Sequence, residues 1–514
     1  MEKTPITGPK LPITIAAMSA ALLALLDISI VNVALTDIRA SFGTPLDQIA
    51  WVSTGYAMAN VTIIPMSGWF QRRFGFKRYF AASIALFTFA SVLCGVSWSL
   101  PSLVAFRVLQ GIGGGAIIPT AQGILFGRYT QAERGLAGAL FGLGAITGPL
   151  LGPSIGGLLI EHGSWHLVFL VNIPIGLLAA GLTLRYVEEP GFVASRDPVD
   201  RRGIALLAVG MVALQYVLEE GNREGWLESD HIVIAGIVAI ASLVTFVVHE
   251  LETEHPVVDL SVFRYRGYAA ATGLNFLVGT ALFAGSFLFS LFAGTIMRYS
   301  ALQIGMLFLV GSSIQILMMP LAGKLVGKVD ARLLIALGIG GVAASLFLNG
   351  QLGTASDTAG MTLPIFVRSS FLGFAFVPLQ VVAMTEVKPH EQGSASGLFN
   401  LTRELGGSIG TAWMSTALSN HTALYESTMS SRVSVVSDAA REQVAMLMRG
   451  PGAMTGDPLA VAYRLLDSRI AREALVRSFG DGFTELALVF LVSLVLLALL
   501  DSGRGREVDL TAAH

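Results

Sequence analysis

Fourteen long apolar runs divide the chain, and short polar stretches separate most of them. They cover 13–35, 49–69, 80–99, 102–126, 136–160, 166–185, 203–219, 231–249, 268–293, 301–323, 333–350, 362–385, 394–419 and 482–500. A helix needs roughly 20 apolar residues to cross a bilayer. Runs of this length without strict alternation predict membrane helices, not barrel strands. The first run follows Lys3 and Lys10 and outlasts the roughly 7–15 apolar residues of a cleaved leader, so it reads as a retained first span.

Composition agrees with that pattern. Of 514 residues only 13% are charged, 53% are hydrophobic, and the mean hydropathy is +0.68. Soluble domains carry about 25% charge, and disorder needs low hydrophobicity with high charge. A net charge of −2 argues against nucleic-acid binding, which draws on a basic surplus. The single cysteine, Cys94, excludes an intramolecular disulfide framework and any multi-cysteine metal site, and no metal site is expected.

Basic residues set the orientation. With the N-terminus inside, 20 Lys and Arg fall on inner segments, against Arg39, Arg223 and Arg298 on short outer loops. The positive-inside rule then places both termini in the cytoplasm, which requires an even number of spans. The stretch 420–481 becomes a long outer loop with seven arginines, and long loops are largely exempt from the rule. Its Pro451-Gly452 and Gly456-Asp457-Pro458 breaks, with apolar Leu459, Ala462, Leu466, Ile470 and Ala474 at helical spacing, predict one or two external amphipathic helices.

The chain repeats weakly at an offset near 260. Gly68 to Arg73 opens the basic loop after span 2, and Gly323 to Lys328 opens the one after span 10. Arg107 near the start of span 4 answers to Arg368 near the start of span 12, and Glu133-Arg134-Gly135 answers to Glu391-Gln392-Gly393. The economical layout is two six-helix halves, 1–185 and 266–500, with spans 7 and 8 inserted over 186–265 and a cytoplasmic tail at 501–514. Duplicated halves around a midplane site are the usual build of a secondary transporter.

Four segments carry candidate chemistry. Span 5 reads Gly144-Ala-Ile-Thr-Gly148-Pro149-Leu-Leu-Gly152-Pro153-Ser-Ile-Gly156-Gly157, with small residues at four-residue spacing that allow close helix approach and prolines that each remove a backbone hydrogen bond. Span 4 holds Arg107-Val-Leu-Gln110-Gly111-Ile-Gly113, a charge at a depth where charge costs at least a few kcal/mol. Its Gly111-x-Gly113-x-x-Ala116 mimics a dinucleotide loop, but no strand precedes it. Span 1 holds Leu26-Asp27-Ile-Ser-Ile-Val-Asn32, and Asp27 is the only acid well inside the first eleven spans. Asp27 lies about 12 Å and Arg107 about 8 Å from the outer ends of their spans, which are compatible depths. The loop after span 2 reads Gly68-Trp-Phe-Gln71-Arg72-Arg73-Phe74-Gly75-Phe76-Lys77-Arg78, in which Gly75 suits a tight turn.

Together these segments resemble the major facilitator superfamily, closest to its fourteen-span drug:proton antiporters of the EmrB/QacA type. The openings of span 6 (Trp165 to Gly176) and span 13 (Gly393 to Gly410), and His255 to Leu260 after span 8, are similar as well. The resemblance implies an all-α polytopic fold of 14 transmembrane helices and alternating access across the cell (inner) membrane. The span-5 motif would serve as hinge or seal, although small-residue packing alone also explains its spacing. Arg107 would assist proton transfer, and an Asp27–Arg107 couple that protonates from outside is the leading expectation, against a static ion pair. The usual acid of the loop motif is Arg72 here, so a gate and a plain orientation anchor both stay open for Gly68, Arg72, Arg73, Gly75 and Lys77.

Candidates to line the cavity are Asn32, Gln110, Gln122, Asn275, Gln315, Arg368, Gln380, Asn400, Arg403 and Glu404, each equally readable as a helix–helix hydrogen bond. Arg403 and Glu404 are successive, so they are expected to point about 100° apart and not to face each other. Expected partners are protons and a small-molecule substrate. The resemblance adds a periplasmic adaptor and an outer-membrane channel docking on 420–481, against a self-capping loop. No nucleotide site, cofactor or catalytic constellation is expected: there is no Walker A sequence, and His249-Glu250 lacks the second histidine of a zinc protease. The function expected is proton-coupled export of small amphipathic or drug-like compounds, with a dedicated exporter of one lipid, siderophore or metabolite as the alternative.

Overall fold

The computed structural model describes residues 6–130, 133–388, 391–432, 438–449 and 457–500. Lys3, the Pro451-Gly452 break, Gly456, Arg504, Arg506 and the tail from 501 lie outside the described residues. Each of the fourteen apolar runs lies on a helix or on consecutive helices. Among the described residues, 11 helical segments are long and apolar enough to cross a membrane.

Span 1 is α1 (Lys10–Phe42). Span 2 is divided into α2 (Leu46–Ile49), α3 (Trp51–Ile63) and α4 (Ser67–Phe74), where Pro65 interrupts the ladder. Spans 3 to 5 are α5 (Phe76–Gly95), α6 (Leu100–Arg128) and α7 (Arg134–Glu161). Span 6 is α8 (Leu167–Leu170) with α9 (Asn172–Tyr186), and the inserted pair is α10 (Arg201–Glu220) and α11 (Asp230–Glu252). Then come α12 (Arg266–Thr295), α13 (Ala301–Ser312) with α14 (Gln315–Leu325), α15 (Ala331–Gly350) and α16 (Thr358–Thr385). The last are α17 (Gln392–Arg432), α18 (Asp438–Arg449) and α19 (Pro458–Val492), the last continued by a 3-10 turn to Leu499.

Among the described residues, spans 1 to 6 pack chiefly on one another, and so do spans 9 to 14, which gives two helix bundles. Helix α7 stands between them. One of its faces packs on α1 through the glycine ladder. A Cβ on Gly148 would stand 2.6 Å from Leu26 N, and one on Gly156 2.9 Å from Ile30 Cγ1. Gly144 meets Met18 and Gly152 meets Ser29 in the same way. Helix α7 runs unbroken through Pro149 and Pro153, whose side chains lie outside the description. Its other face meets the second bundle, with Gly142 against Met319 and Phe376.

Close backbone contact between the bundles gathers at the ends that the positive-inside rule assigns to the cytoplasm, their inner ends. A Cβ on Gly323 would stand 2.5 Å from Gly135 O, and one on Gly68 2.6 Å from Ser394 Cα. Arg72 Nη1 donates to Ser394 Oγ at 2.7 Å and Nη2 to Pro256 O at 3.2 Å, so it ties the loop after span 2 to the second bundle and to the segment after α11. Burial lowers the Arg72 guanidinium below its usual value, and Asp259, Asp197 and Glu250 oppose that. Arg73 Nη1 donates to Ser195 O and Asp197 O. Gly75 takes φ +80°, and Glu189 accepts from Phe76 N and Lys77 N at 2.8 Å each.

On the outer side α10 lies against α3 and α17. Trp51 stacks on Tyr216 with centroids 6.2 Å apart, and Trp226 Nε1 donates to Thr416 Oγ1 at 3.0 Å. Within 420–481 one separate helix, α18, stands as expected, but the other described residues extend the flanking spans. Helix α17 runs on to Arg432, and α19 starts at Pro458, capped by Asp457, and enters span 14 without a break. No proline follows Pro458 to stop it. At 41 and 35 residues these helices are about 60 and 50 Å long, so both project well beyond a roughly 30 Å hydrocarbon core. Tyr425 Oη, donating to Asp481 Oδ2 at 2.6 Å, joins them beyond the apolar run of span 14.

Gly135→Leu should force the inner ends apart. In a chain carrying Cys94→Ser and Ser396→Cys, adding it should speed maleimide labelling from the cytoplasmic face several-fold, and an unchanged rate would mean that the Gly135–Gly323 contact does not seal that face. The Lys10–Glu133 pair, 2.6 Å apart, joins the starts of α1 and α7. Its hydrogen bond from Lys10 lowers the Glu133 carboxyl from 4.5 to about 2. Its stabilising effect is therefore complete above about pH 4.5 and lost as the pH falls toward 2. Glu133→Gln should remove that component from the acid dependence of thermal unfolding.

Candidate functional site: a buried ion pair beside a central cleft

Asp27 and Arg107 meet. Arg107 Nη1 lies 2.5 Å from Asp27 Oδ2, and their side chains are 1% and 0% exposed. Such a pair is tolerable only when the remaining donors and acceptors are filled. Here nearly all of them are. Gln110 Nε2 and Asn172 Nδ2 donate to Asp27 Oδ1 at 2.8 and 2.7 Å. Arg107 Nη1 also donates to Gln110 Oε1 at 2.6 Å, and Nε donates to Val52 O at 3.0 Å. Ser91 Oγ accepts from Gln110 Nε2 at 2.7 Å and from Asn172 Nδ2 at 3.3 Å. Five helices contribute: α1, α3, α5, α6 and α9.

The sequence explains this convergence. Gly111, Gly113 and Gly115 let α6 press against α3 and α5, where a Cβ on Gly113 would stand 2.7 Å from Phe87 N. The α7 glycines hold α1 close on its opposite side. Asp27 and Arg107 are thus set by small-residue contacts on either flank.

Tyr56 connects the pair to the cleft. The Arg107 Cζ lies 4.2 Å from its ring centre, within cation–π range. Asn60 Nδ2 donates to Tyr56 Oη at 3.2 Å. Both residues line a narrow cleft between the bundles, about 10 Å³ in volume, with Leu25 and Ile28 of α1, Ile118 of α6, and Asn400, Arg403 and Glu404 of α17. On the first bundle the wall is apolar apart from Tyr56 and Asn60, and on the second it is polar.

Of the ten candidate cavity residues, Asn400, Arg403 and Glu404 line this cleft, and Gln110 belongs to the ion-pair network. Asn400 Nδ2 and Ser396 Oγ both donate to Gln122 Oε1, at 2.5 and 2.8 Å, bridging the bundles on the inner side of the cleft. Asn275 Nδ2 donates to Phe399 O at 2.6 Å within the second bundle. Asn32 is exposed and accepts from Ser53 Oγ at 3.1 Å. Gln315 is buried at the break between α13 and α14, and Gln380 is buried on α16 beside Gly138. Arg368 lies apart from the cleft on α16.

Arg403 and Glu404 depart from the expectation for successive residues: Arg403 Nη2 donates to Glu404 Oε1 at 3.2 Å. Their Cα–Cβ bonds do diverge, but the arginine stem is long enough to bend its guanidinium back over the neighbouring turn. Four residues of the site were not singled out from sequence as site residues: Ser91, Tyr56, Asn60 and Asn172. Tyr56 and Asn60 stand four apart on span 2 and could have been read as one polar face. Ser91 is one of many helix serines and carries no signal of its own.

Asp27→Asn and Arg107→Gln should each insert normally and lose proton-driven export. Each single change strands one buried charge, which costs about 3–5 kcal/mol. The double variant should therefore melt at a higher temperature than Arg107→Gln alone. A double variant less stable than both singles would show that the charges are not what stabilises this contact.

The profile of the Major Facilitator Superfamily matches residues 17–411. The "Multidrug export protein EmrB" of Haemophilus influenzae is 32% identical over 82% of this chain and 83% of its own length. The Escherichia coli K12 protein of that name is 30% identical over 96% of each chain. The "Fatty acid resistance protein FarB" of Neisseria gonorrhoeae is also 30% identical over 96% of each. Among solved structures, the human organic anion transporter MFSD10 superposes with a TM-score of 0.59 at 14% identity, covering 96% of this chain and 100% of that one, a likeness of fold.

Proposed function

Because the chain belongs to the major facilitator superfamily, we propose that it is a proton-coupled antiporter that exports small amphipathic or drug-like compounds by alternating access. The observation that carries this reading is the Asp27–Arg107 pair and its contact, through Tyr56, with a cleft between the bundles. Multidrug export in the names of the relatives supports the substrate class.

The cycle follows from the charges. A proton arriving from outside neutralises Asp27, and the attraction that holds Arg107 to it drops away. Arg107 keeps Val52 O and the Tyr56 ring, so the change passes to α3 and to the cleft wall. Helix α7, in contact with α1 on one face and the second bundle on the other, is the element along which the halves rock. One charge crossing 100 mV yields about 2.3 kcal/mol, enough to sustain a substrate gradient without a nucleotide or other cofactor.

The membrane in this reading is the cytoplasmic (inner) one, with both termini inside, as the basic residues favour. The outward hairpin of α17 and α19, with α18 packed on it, is the surface for a periplasmic adaptor leading to an outer-membrane channel.

Counterflow in proteoliposomes, with and without an inward pH gradient and across a panel of amphipathic compounds, tests the reading. Several unrelated compounds should be driven by the gradient. Gradient-driven movement of one compound alone would replace drug export with a dedicated exporter, and movement indifferent to the gradient would end the coupling proposal. Deletion of 433–475 should abolish adaptor crosslinking while transport in proteoliposomes persists.

A further inference from the structure

Arg368 is a buried arginine without a carboxylate. It is 8% exposed. Nη1 donates to Ser286 Oγ on α12 at 2.9 Å, and Cζ lies 5.6 Å from the ring centre of Phe308 on α13. Among the described residues no Asp or Glu pairs with it. An arginine keeps its proton in proteins, and a buried charge without a counter-ion is costly. The remaining field of the guanidinium is unanswered by the chain itself.

The internal repeat identifies the missing group. Arg368 follows Arg107 by 261 residues, Ser286 follows Asp27 by 259, and Phe308 follows Tyr56 by 252. In the first bundle the arginine lies over the aromatic ring and binds the acid of the first helix. The second bundle keeps the arginine and a ring, but a serine stands where the acid would be. A serine hydroxyl is smaller than a carboxylate and carries no charge, so it leaves the positive charge of Arg368 unneutralised. Ser286 and Phe308 are only half-buried, in contrast to Asp27 and Tyr56, so this arginine is less enclosed than its counterpart in the first bundle.

We propose that Arg368 and Ser286 form an anion site that accepts a carboxylate or a small monovalent anion in place of the acid missing from the second bundle. The anion is either the carboxylate of an organic solute or a free inorganic ion. Arg368 donates its charge-assisted hydrogen bonds, and the Ser286 hydroxyl donates its proton to the anion. The two bundles then divide the electrostatics: one carries a titratable acid of its own, and the other a fixed cation that takes its partner from outside. The site concerns binding and does not require the export reading.

Thermal unfolding of the purified full chain tests it, with sodium benzoate, its neutral analogue benzamide, and sodium chloride, at ionic strength held constant with sodium HEPES. Benzoate or chloride should raise the melting temperature by several degrees, and benzamide should not. Stabilisation by benzoate assigns the site to organic carboxylates, and stabilisation by chloride alone assigns it to a free ion. Arg368→Gln should abolish the response. Ser286→Asp should raise the melting temperature without added anion and abolish the response, whereas Ser286→Ala should keep it in weakened form. No response to either anion in the native chain, or an undiminished one in Arg368→Gln, overturns the proposal. Asp27→Asn should respond like the native chain, which separates the failure of this site from a failure of proton coupling.

Discussion

A carboxylate and a guanidinium can stand in hydrocarbon only if each is wrapped in hydrogen bonds, and that requirement organises the first bundle. Asp27 and Arg107 together draw on Gln110, Asn172 and the Val52 carbonyl, with Ser91 holding two of those amides from behind. Five helices must keep their register for the set to close. The glycines of α6 and α7 are therefore more than filler. They bring backbones to distances at which short polar side chains can reach one another, and a bulky residue at Gly113 or Gly148 would separate the donors from the acid they serve.

The same constraint gives the pair its dynamic value. A fully satisfied charge pair is stable in one protonation state and strained in the other. In the proposed cycle, protonation of Asp27 removes the charge for which the surrounding donors are arranged, and the Arg107 it releases lies against Tyr56, which belongs to the cleft wall. The inner ends, sealed by Gly135 with Gly323 and by Gly68 with Ser394, are a separate latch made of backbone contact and the Arg72 hydrogen bonds. In the proposed cycle, α1 and α7, which meet along the glycine face, would link the pair to the latch.

Much of this was legible because charge is scarce. With so few ionisable groups in the spans, Asp27, Arg107, Arg368, Arg403 and Glu404 stood out from hydropathy alone, and the depth of the first two already matched. Helix existence followed from run length. What sequence could not give was direction around each helix axis. The cleft takes Asn400 and leaves Asn275 within the bundle, although both are asparagines on long apolar helices. Arg403 and Glu404 seemed to diverge because periodicity describes the Cβ direction and not the reach of a long side chain. Ser91 and Asn172 act through neighbours, and uncharged polar residues are too common in spans to be read singly. The outer stretch followed its predicted cap at Asp457, but continuity into the last span depends on an absence of breakers that a local reading does not weigh.

Helix α17 is a single rod, and rods have leverage. It is fixed by Ser394 and Ser396 at its inner end, passes the cleft at Asn400 to Glu404, and ends outside at Arg432. From Glu404 the inner end is about 15 Å away and the outer end about 40 Å. A rigid tilt pivoting beside the cleft therefore moves the external tip nearly three times as far as the inner latch, and in the opposite sense. A displacement of an ångström or two at Ser394 becomes several ångströms at the tip, so whatever holds the outer hairpin bears directly on how easily the inner end opens.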